Sequence, residues 1–500
     1  PSTSKGSRFR YAAGTRTGWS LLDITSNAGA SRRRKIAPTG RENRVGELLA
    51  LLRARLAARS PESLLVVSFG GLIGIGTALL SLPWSHKGSV GVLDALFTAT
   101  SAVCVTGLVV VDTGTDYTTL GQLVILLLIQ AGGIGVMSFA ALAFALLGRR
   151  LSLRAQAALS SSMLQREVAS EFRGIFRRIL KFVLIAEAAG AVLIFFGMLP
   201  SRGAGHAAYS AVFHSISAFC NAGFSLYSDS LIGWRNNPVV LSTVMILILL
   251  GGIGHPVVVD LWRKFLVARR RESAEPKRLE LSSIVALSTS GVLILGGLGL
   301  LLLFGLTSSE GSWPSRLWNA LFQSVTARTA GFNTVDIGVL PLSSLLLIVL
   351  LMFVGGSPGS CAGGIKTTTF ILWLAKLWSL LRGGKWPRLF GRHVPGEIAR
   401  RASMIIGLAV VWNLAGLLLL LATEGRSPGV GMHDVLFEQV SAFGTVGLST
   451  GLTSKLSIAG KLWIIATMFV GRLGPLTLAV WAFARKTPGV RYPEGRIMIG

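Results

Sequence analysis

One phrase recurs four times in the chain, and this repeat decides the fold. It reads ALFTATSAVCVTGL at residues 95–108, AVFHSISAFCNAGF at 211–224, ALFQSVTARTAGF at 320–332 and VLFEQVSAFGTVGL at 435–448. Each copy is moderately apolar, rich in Ser or Thr, and ends in a glycine followed by Leu or Phe. The glycines Gly107, Gly223, Gly331 and Gly447 are separated by 116, 108 and 116 residues. A phrase at a nearly constant period indicates internal duplication.

Long apolar segments flank the four phrases. The 500-residue chain is 51% apolar and 14% charged, with a mean hydropathy of +0.62, which excludes a conventional soluble enzyme. Segments without charged residues cover 63–83, 118–148, 281–309, 339–365 and 402–423, and segments 182–200, 238–259 and 462–484 nearly qualify. Because a helix needs roughly 20 residues to cross a bilayer core, the sequence predicts about eight spans.

The positions of the basic residues predict the orientation of these spans. The net charge is +27, and Lys and Arg number 13 before residue 63, 8 in 149–181, 7 in 263–278, 6 in 382–401 and 4 after residue 484. These basic segments fall on every second connection, so the positive-inside rule places them, and both termini, in the cytoplasm. A nucleic-acid partner is not expected, because no aromatic or motif-bearing basic module accompanies the charge.

The order of segments predicts an all-α polytopic membrane protein. Each unit reads span, short re-entrant helix, glycine turn, span, and two crossings return the chain to its starting side, so the four repeats are parallel about an axis normal to the membrane. The third phrase is one residue shorter than the others. Predicted boundaries are 63–148, 149–267, 268–382 and 383–486 for the repeats, and 1–62 and 487–500 for cytoplasmic tails. Residues 1–39 are expected to be disordered, and 45–56 to form an amphipathic helix at the lipid surface.

Re-entrant segments at membrane depth predict a pore, because irregular backbone survives there only inside protein or along a water-filled cavity. A glycine at each turn permits positive φ and a close approach of carbonyls to the axis. Four sets of carbonyls can replace the hydration shell of K⁺. Four packing turns are the alternative, which the equal spacing of the copies disfavours. The predicted filter consists of Val105, Thr106, Gly107, Asn221, Ala222, Gly223, Thr329, Ala330, Gly331, Thr445, Val446 and Gly447.

Glycine-rich breaks follow each filter by 24 to 28 residues, at 132–135, 251–254, 355–364 and 471–475. The third is far longer and includes Pro358, so residues 339–375 are predicted to form two half-helices joined by a loop below the filter. A simple kink is the alternative. The loop comprises Gly355, Gly356, Ser357, Pro358, Gly359, Ser360, Cys361, Ala362, Gly363 and Gly364.

Two cations lie at predicted membrane depth, where such residues usually face a cavity. Arg472 is at the break of the fourth unit, where its guanidinium is expected either to repel K⁺ or to hydrogen-bond the carbonyls of residues 355–364. The alternative is a structural role, as an ion pair or as a bond to exposed carbonyls at a helix end. Lys366 follows the loop. A role in the gating of this loop and an extension of the side chain to the cytoplasmic interface stay equally open. Cys104, Cys220 and Cys361 are expected to be small buried residues without disulfides.

The motifs around the four glycines resemble those of the Trk/Ktr/HKT superfamily of potassium transporters, and most closely the KtrB-type membrane subunit. The resemblance covers about residues 63–486, and the run GGSPGSCAGGIKTTT at 355–369 is its most specific part. It implies K⁺ transport, with residues 355–364 as an intramembrane gate. It also implies a homodimer with one pore per chain in the cell (inner) membrane, bound to a cytosolic nucleotide-binding regulatory ring of the KtrA/TrkA type.

Two rival functions fit the sequence less well. An ion-coupled secondary carrier is disfavoured by parallel, pore-lining repeats, although a dependence on Na⁺ stays open. An intramembrane enzyme would need a nucleophile with a base or a metal cluster at membrane depth, and the sequence suggests neither. The chain has no GxxxxGK[ST] or GxGxxG motif, so no nucleotide site is expected on it.

Overall fold

A computed structural model describes residues 61–88, 90–148, 162–270, 279–305, 312–384 and 386–483. The tails predicted at 1–62 and 487–500, including the amphipathic helix at 45–56, lie almost entirely outside these residues. All elements below belong to residues 60–500, which form one compact unit.

Fifteen α-helices, three short 3₁₀ helices (Ile232–Trp234, Ile337–Val339 and Thr453–Lys455) and one small hairpin make up the regular structure of the described residues. The helices are α1 (Pro61–Leu80), α2 (Val92–Cys104), α3 (Thr119–Gly148), α4 (Ser162–Met198), α5 (Ala204–Cys220), α6 (Pro238–Ile253), α7 (His255–Arg270), α8 (Leu281–Leu303), α9 (Trp313–Thr326), α10 (Leu342–Phe353), α11 (Thr367–Leu381), α12 (Gly396–Glu424), α13 (Met432–Gly444), α14 (Ile458–Leu473) and α15 (Pro475–Phe483). Strands β1 (Arg388–Leu389) and β2 (Arg392–His393) pair antiparallel between α11 and α12.

Five helices, α1, α3, α4, α8 and α12, are long and apolar enough to cross a bilayer. Helices α6 and α7 are together long and apolar enough for one more crossing, with a bend of 98° between them, which gives up to six spans. Two further crossings predicted from the sequence are built from shorter helices, α10 with α11 and α14 with α15. Every crossing that is divided into two helices is therefore the second crossing of its repeat. It follows the short re-entrant helix and contains the glycine-rich break.

The four re-entrant helices α2, α5, α9 and α13 have 13, 17, 14 and 13 residues, which is too short to span a membrane. Each packs against the helix that follows the previous phrase: α3 contacts α5, α6 contacts α9, α10 contacts α13, and α14 contacts α2. The last of these contacts joins the fourth unit to the first. The short helices and their neighbours thus form a closed circle within one chain.

The predicted helix breaks are confirmed in three units and wrong in the first. Gly254 and Gly474 have φ values of 89° and 88° and separate α6 from α7 and α14 from α15. Residues 354–366 separate α10 from α11. Helix α3, in contrast, runs through 132–135 without interruption. Gly132 serves packing instead, because a side chain there would collide with the carbonyl group of Val103 at the end of α2.

We expect Gly132→Ala to destabilise the protein by about 1–3 kcal/mol, because the added methyl overpacks the contact between α3 and α2. Gly135→Ala is the matched control on the same helix, since its Cβ would find its nearest neighbour, a ring carbon of Phe69, only at 4.0 Å. Alanine should there stabilise the helix by up to about 1 kcal/mol. Thermal unfolding in detergent micelles measures both. Equal melting temperatures for the two variants would contradict the packing role of Gly132.

Candidate ion filter and gate

The four glycine segments share one backbone conformation. Val105, Asn221, Thr329 and Thr445 have φ values of 56°, 59°, 75° and 49°, although none is glycine. Two residues later, Gly107, Gly223, Gly331 and Gly447 have φ values of 92°, 71°, 79° and 94°. The residue between each pair keeps a negative φ. In every segment, two residues of positive φ therefore flank one residue that is not left-handed.

The four glycines meet in a closed ring. A Cβ placed on Gly107 would lie 3.0 Å from the Cα of Gly223, and one on Gly223 would lie 2.9 Å from the Cα of Gly331. A Cβ on Gly331 would lie 3.2 Å from the Cα of Gly447, and one on Gly447 would lie 3.0 Å from the Cα of Gly107. Each of these positions also meets a carbonyl oxygen of the neighbouring segment. The four oxygens belong to Thr106, Ala222, Ala330 and Val446.

A hydroxyl group ties each segment to the end of its short helix, a feature that was not predicted from the sequence. Ser217 donates to the carbonyl of Phe224 at 2.8 Å, and Thr326 donates to that of Phe332 at 2.6 Å. Ser441 donates to the carbonyl of Leu448 at 2.6 Å and accepts from the amide of Gly447 at 3.2 Å. The signal was present in the phrase, because a Ser or Thr precedes Ala in every copy.

The first and third units vary this theme. Ser101 accepts a hydrogen bond from the amide of Gly107 at 3.0 Å. In the third unit, the hydroxyl of Thr326 lies five residues before its glycine instead of six, because that phrase is one residue shorter. Helix α9 accordingly ends in a right-handed cap at Ala327, and the left-handed residue comes two positions later. The deletion is absorbed in the helix cap and leaves the ring of glycines intact.

Residues 355–364, here called the gate loop, are closed at their base and bound to the second unit. Val354 and Ile365 form a parallel bridge, and the amide of Gly355 donates to the carbonyl of Ile365 at 2.9 Å. The break between α6 and α7 supplies three further hydrogen bonds. The backbone amides of Ser357 and Cys361 donate to the carbonyls of Gly252 and Gly251, both at 3.0 Å, and the amide of His255 donates to that of Gly359 at 3.2 Å.

The gate loop also lies against two of the four glycine segments, which are the candidate filter. A Cβ on Gly355 would lie 3.3 Å from the methyl of Thr329, and one on Gly363 would lie 3.0 Å from the methyl of Thr445. Both threonines are the left-handed residues of their filter segments. The sequence prediction of two half-helices with a loop between them is confirmed, and the loop is in contact with two of the four segments.

Two buried arginines bind carbonyls of the gate loop. Arg472, from the end of α14, donates to the carbonyl of Cys361 and, at 3.0 Å, to that of Gly132. Arg328, which the sequence analysis did not single out for the gate, donates to the carbonyl of Gly355 at 3.0 Å. Neither arginine has a carboxylate partner among the described residues. The exposed fraction is 5% for Arg472 and 7% for Arg328. The predicted contact of Arg472 with the loop is therefore present, and no ion pair of Arg472 is found among the described residues. Its second acceptor, Gly132, lies inside α3 and not at a helix end.

Lys366 and the cysteines complete this region. The ammonium of Lys366 donates to the carbonyl of Ala362 in the gate loop, which favours a place in the loop over a reach to the cytoplasmic interface. Cys104 and Cys220 end two of the short helices, and Cys361 lies in the loop. All three are free and buried, as expected. Among the described residues, no group of three His, Cys, Asp or Glu side chains is placed to hold a metal ion.

A multi-pass chain whose four re-entrant segments close into a ring of backbone carbonyls belongs to the class of membrane ion transporters. A family model described as "Cation transport protein", TrkH, matches residues 46–489. The chain is a member of this TrkH family.

Several relatives support the assignment. The chain is 38% identical to "Ktr system potassium uptake protein B" of Vibrio alginolyticus over 87% of this chain and 94% of that protein. It is 37% identical to the protein of the same name from Bacillus subtilis, over 88% and 97% of the two chains. It is 36% identical to "Potassium/sodium uptake protein NtpJ" of Enterococcus hirae over 90% and 100%. The crystal structure of the potassium transporter TrkH from Vibrio parahaemolyticus shares the fold, with a TM-score of 0.66 at 20% identity over 85% and 86% of the chains.

Proposed function

We propose that this protein takes up K⁺ across the cell membrane, as the translocating subunit of a Ktr/Trk-type system. The ring formed by Gly107, Gly223, Gly331 and Gly447 is its selectivity filter, and the gate loop is its barrier. Four parallel repeats surround one pseudo-fourfold pore. The single observation that carries the proposal is the closed ring, because it gathers four equivalent carbonyls where a dehydrated cation can replace its water ligands.

Unpartnered oxygens in the same segments support this role. The hydroxyl groups of Thr106 and Thr445 are buried and have no hydrogen-bond partner. Buried polar atoms ordinarily find a partner, so an orphan needs an explanation such as an ion or a water molecule. A partly hydrated K⁺ passing along the filter would satisfy these oxygens. If the four segments were only packing turns, these hydroxyl oxygens would have no binding partner.

K⁺ uptake by cells that lack their own potassium transport tests the proposal directly. Cells that express this chain should grow in low external K⁺ and accumulate Rb⁺ as a tracer, and cells with an empty vector should not. If cells that express the wild-type chain show neither growth nor tracer uptake, despite normal membrane insertion of the chain, the proposed function is contradicted.

Dependence on Na⁺ is a second candidate feature, and coupling of K⁺ movement to Na⁺ would make the protein an ion-coupled symporter. The name of the Enterococcus hirae relative, a potassium/sodium uptake protein, favours testing it. Tracer uptake should be compared with and without external Na⁺ at constant ionic strength. A rise in the rate with Na⁺ supports coupling or activation by Na⁺, and a constant rate supports a K⁺ path alone. The closed ring within one chain favours a pore over alternating access in either case.

The relatives named as Ktr system proteins support a multi-subunit assembly. We propose a homodimer in the inner membrane, with both termini cytoplasmic and a KtrA/TrkA-type nucleotide-binding ring on the cytosolic side. The basic inner connections, with 8, 7 and 6 Lys and Arg residues, face that ring. The chain itself supplies no catalytic chemistry and no nucleotide site in this proposal.

The dimer should carry two independent conduction paths, because the contacts that close the ring all lie within one chain. Co-expression of wild type with a copy whose filter is inactive should leave about half of the activity per chain, as expected for additive, independent sites. Tracer flux in liposomes that contain purified mixed dimers measures this. A complete dominant loss would instead indicate one central pore shared between protomers.

A further inference from the structure

A groove with a volume of about 1100 Å³ lies beside α11, away from the filter and the gate loop. One wall is a stripe of α11, with Ile371, Leu374 and Trp378 at helical spacing and Arg382 directly after the helix. The β1–β2 hairpin forms the opposite wall. The groove therefore runs from the apolar body of a membrane helix to its polar end.

The two ends of the groove differ in chemistry. Ile371 and Leu374 belong to the apolar end, inside the segment predicted to cross the membrane. Arg382, Arg388 and His393 belong to the other end, within the basic connection that the positive-inside rule places in the cytoplasm. An apolar trench that leads to a basic rim at the cytoplasmic surface matches the shape of a phospholipid.

Hydrogen bonds hold the turn after α11 in place without a ligand. The hydroxyl of Ser379 donates to the carbonyl of Trp386 at 2.9 Å and to that of Gly384 at 3.2 Å. The amide of Gly384 donates back to the carbonyl of Ser379 at 2.8 Å. The amide of Val394 donates to the carbonyl of Pro387 at 3.1 Å, which ties the two ends of the hairpin together. Because the groove is preformed, a ligand need not pay for ordering it.

The basic rim has unneutralised positive charge. Arg382 stacks on the indole of Trp378 at 4.5 Å from the ring centroid, so its guanidinium is held at the edge of the groove. Among the described residues, neither Arg382 nor Arg388 forms an ion pair with a carboxylate. Glu397 is the one acidic residue between 382 and 401. The rim is thus complementary to an anion.

We propose that this groove binds an anionic phospholipid of the cytoplasmic leaflet. An acyl chain lies along Ile371, Leu374 and Trp378, and the phosphate lies between the guanidinium groups of Arg382 and Arg388. Basic pockets on the cytoplasmic side of membrane helices bind such headgroups. An acidic segment of a cytosolic protein would leave the apolar end uncovered, and a second copy of this chain would supply no net negative charge to the rim.

Lipid-specific quenching of tryptophan fluorescence tests the proposal on the full chain in nanodiscs. The discs contain phosphatidylcholine with a minor fraction of phosphatidylglycerol, and either lipid carries brominated acyl chains. At equal fractions, brominated phosphatidylglycerol should quench the wild-type protein more than brominated phosphatidylcholine. The excess should disappear in Trp378→Phe/Trp386→Phe, which locates it in the groove.

Charge variants supply the matched comparison. Arg382→Gln/Arg388→Gln should lower the preference for phosphatidylglycerol by about tenfold or more, at about 1 kcal/mol per basic residue. Arg400→Gln/Arg401→Gln removes the same charge from exposed positions of the same connection, outside the groove, and should keep the preference.

Three results would overturn the proposal. They are equal quenching of wild type by the two lipids, a preference that survives Arg382→Gln/Arg388→Gln, and an equal loss in both double variants. If Trp378→Ala converts dimers to monomers while the lipid preference is absent, a second copy occupies the groove. If inorganic phosphate abolishes the excess quenching as effectively as competing unbrominated phosphatidylglycerol does, the rim is a phosphate site and not a lipid site.

Discussion

Deletion of Pro358, Gly359 and Ser360 is expected to raise K⁺ flux by about tenfold or more. The deletion shortens the gate loop by about 10 Å of extended chain. It also removes the carbonyl of Gly359 that accepts from His255, and the hydroxyl of Ser360 that donates to the carbonyl of Ser357 at 2.6 Å. The loop then loses part of its attachment to the second unit, while the bridge at its base is unaffected. A barrier attached on fewer sides opens more often, and a net loss of about 1.4 kcal/mol corresponds to tenfold.

Rb⁺ flux into liposomes, with and without the cytosolic partner, measures the effect. Flux should rise and its dependence on the partner should weaken, because an open path needs no partner energy to move the loop. Ser360→Ala is the control, since it removes the hydroxyl bond and leaves the loop at full length. If the shortened protein has the flux and the partner response of wild type, the loop is packing and the barrier lies elsewhere.

Variants of Arg472 separate the effect of its positive charge from the effect of its hydrogen bonds to the gate loop in the same assay. Arg472→Ala removes two hydrogen bonds to the carbonyls of Cys361 and Gly132 together with the positive charge. It should raise flux less than the deletion does, because the loop keeps its bonds to Gly251, Gly252 and Arg328. Arg472→Lys keeps the charge without the two-armed geometry of the guanidinium. Low flux with lysine and high flux with alanine would show that charge forms the barrier, whereas high flux in both would assign the barrier to the hydrogen bonds.

The repeat phrase carried most of the fold that the sequence could predict. Each copy encodes its own short helix, its turn and its glycine through local rules, so counting copies was enough to predict the four short helices and their glycine turns. The gate loop was equally local, because Gly, Ser and Pro at that density cannot continue a helix. The same reasoning failed at Gly132. There, the glycine allows α3 to approach Val103, and a contact between distant segments is invisible in a single stretch of sequence.

The contacts that complete the gate depended on the same long-range information. Arg328 stands in the third phrase, directly before the predicted filter residue Thr329, and the sequence predicted no role for it. Its bond to Gly355 becomes apparent only when α10 and the loop are placed beside it. Arg472 was predicted because a cation at membrane depth is costly and must find acceptors. The contact of Arg472 was thus predicted from a charged side chain in an apolar segment, and not from a sequence motif.

Substitution of a filter glycine by serine is expected to lower the preference for K⁺ over Na⁺ by about tenfold, a change of about 1.4 kcal/mol. A Cβ on Gly107 would lie 3.0 Å from the Cα of Gly223 and would meet the carbonyl of Ala222. The added side chain points at the neighbouring segment and pushes its backbone away from the position set by the ring. Because selection depends on the placement and number of carbonyls, a displaced carbonyl weakens the coordination of K⁺. The same collision awaits serine at Gly223, Gly331 and Gly447.

Gly451→Ser is the matched control for these four variants. Gly451 has a φ of 95°, close to the 92° of Gly107, but a Cβ there would have no neighbour within 4 Å. Serine should therefore produce the same local strain, of order 1–2 kcal/mol, without disturbing the ring. Ratios of K⁺ to Na⁺ permeability in liposomes should fall in the four ring variants and stay at the wild-type value in Gly451→Ser. An unchanged ratio in all four ring variants would remove the filter assignment. If the permeability ratio falls as much in Gly451→Ser as in Gly107→Ser, backbone strain at the substituted glycine, and not the contact between segments, controls selection.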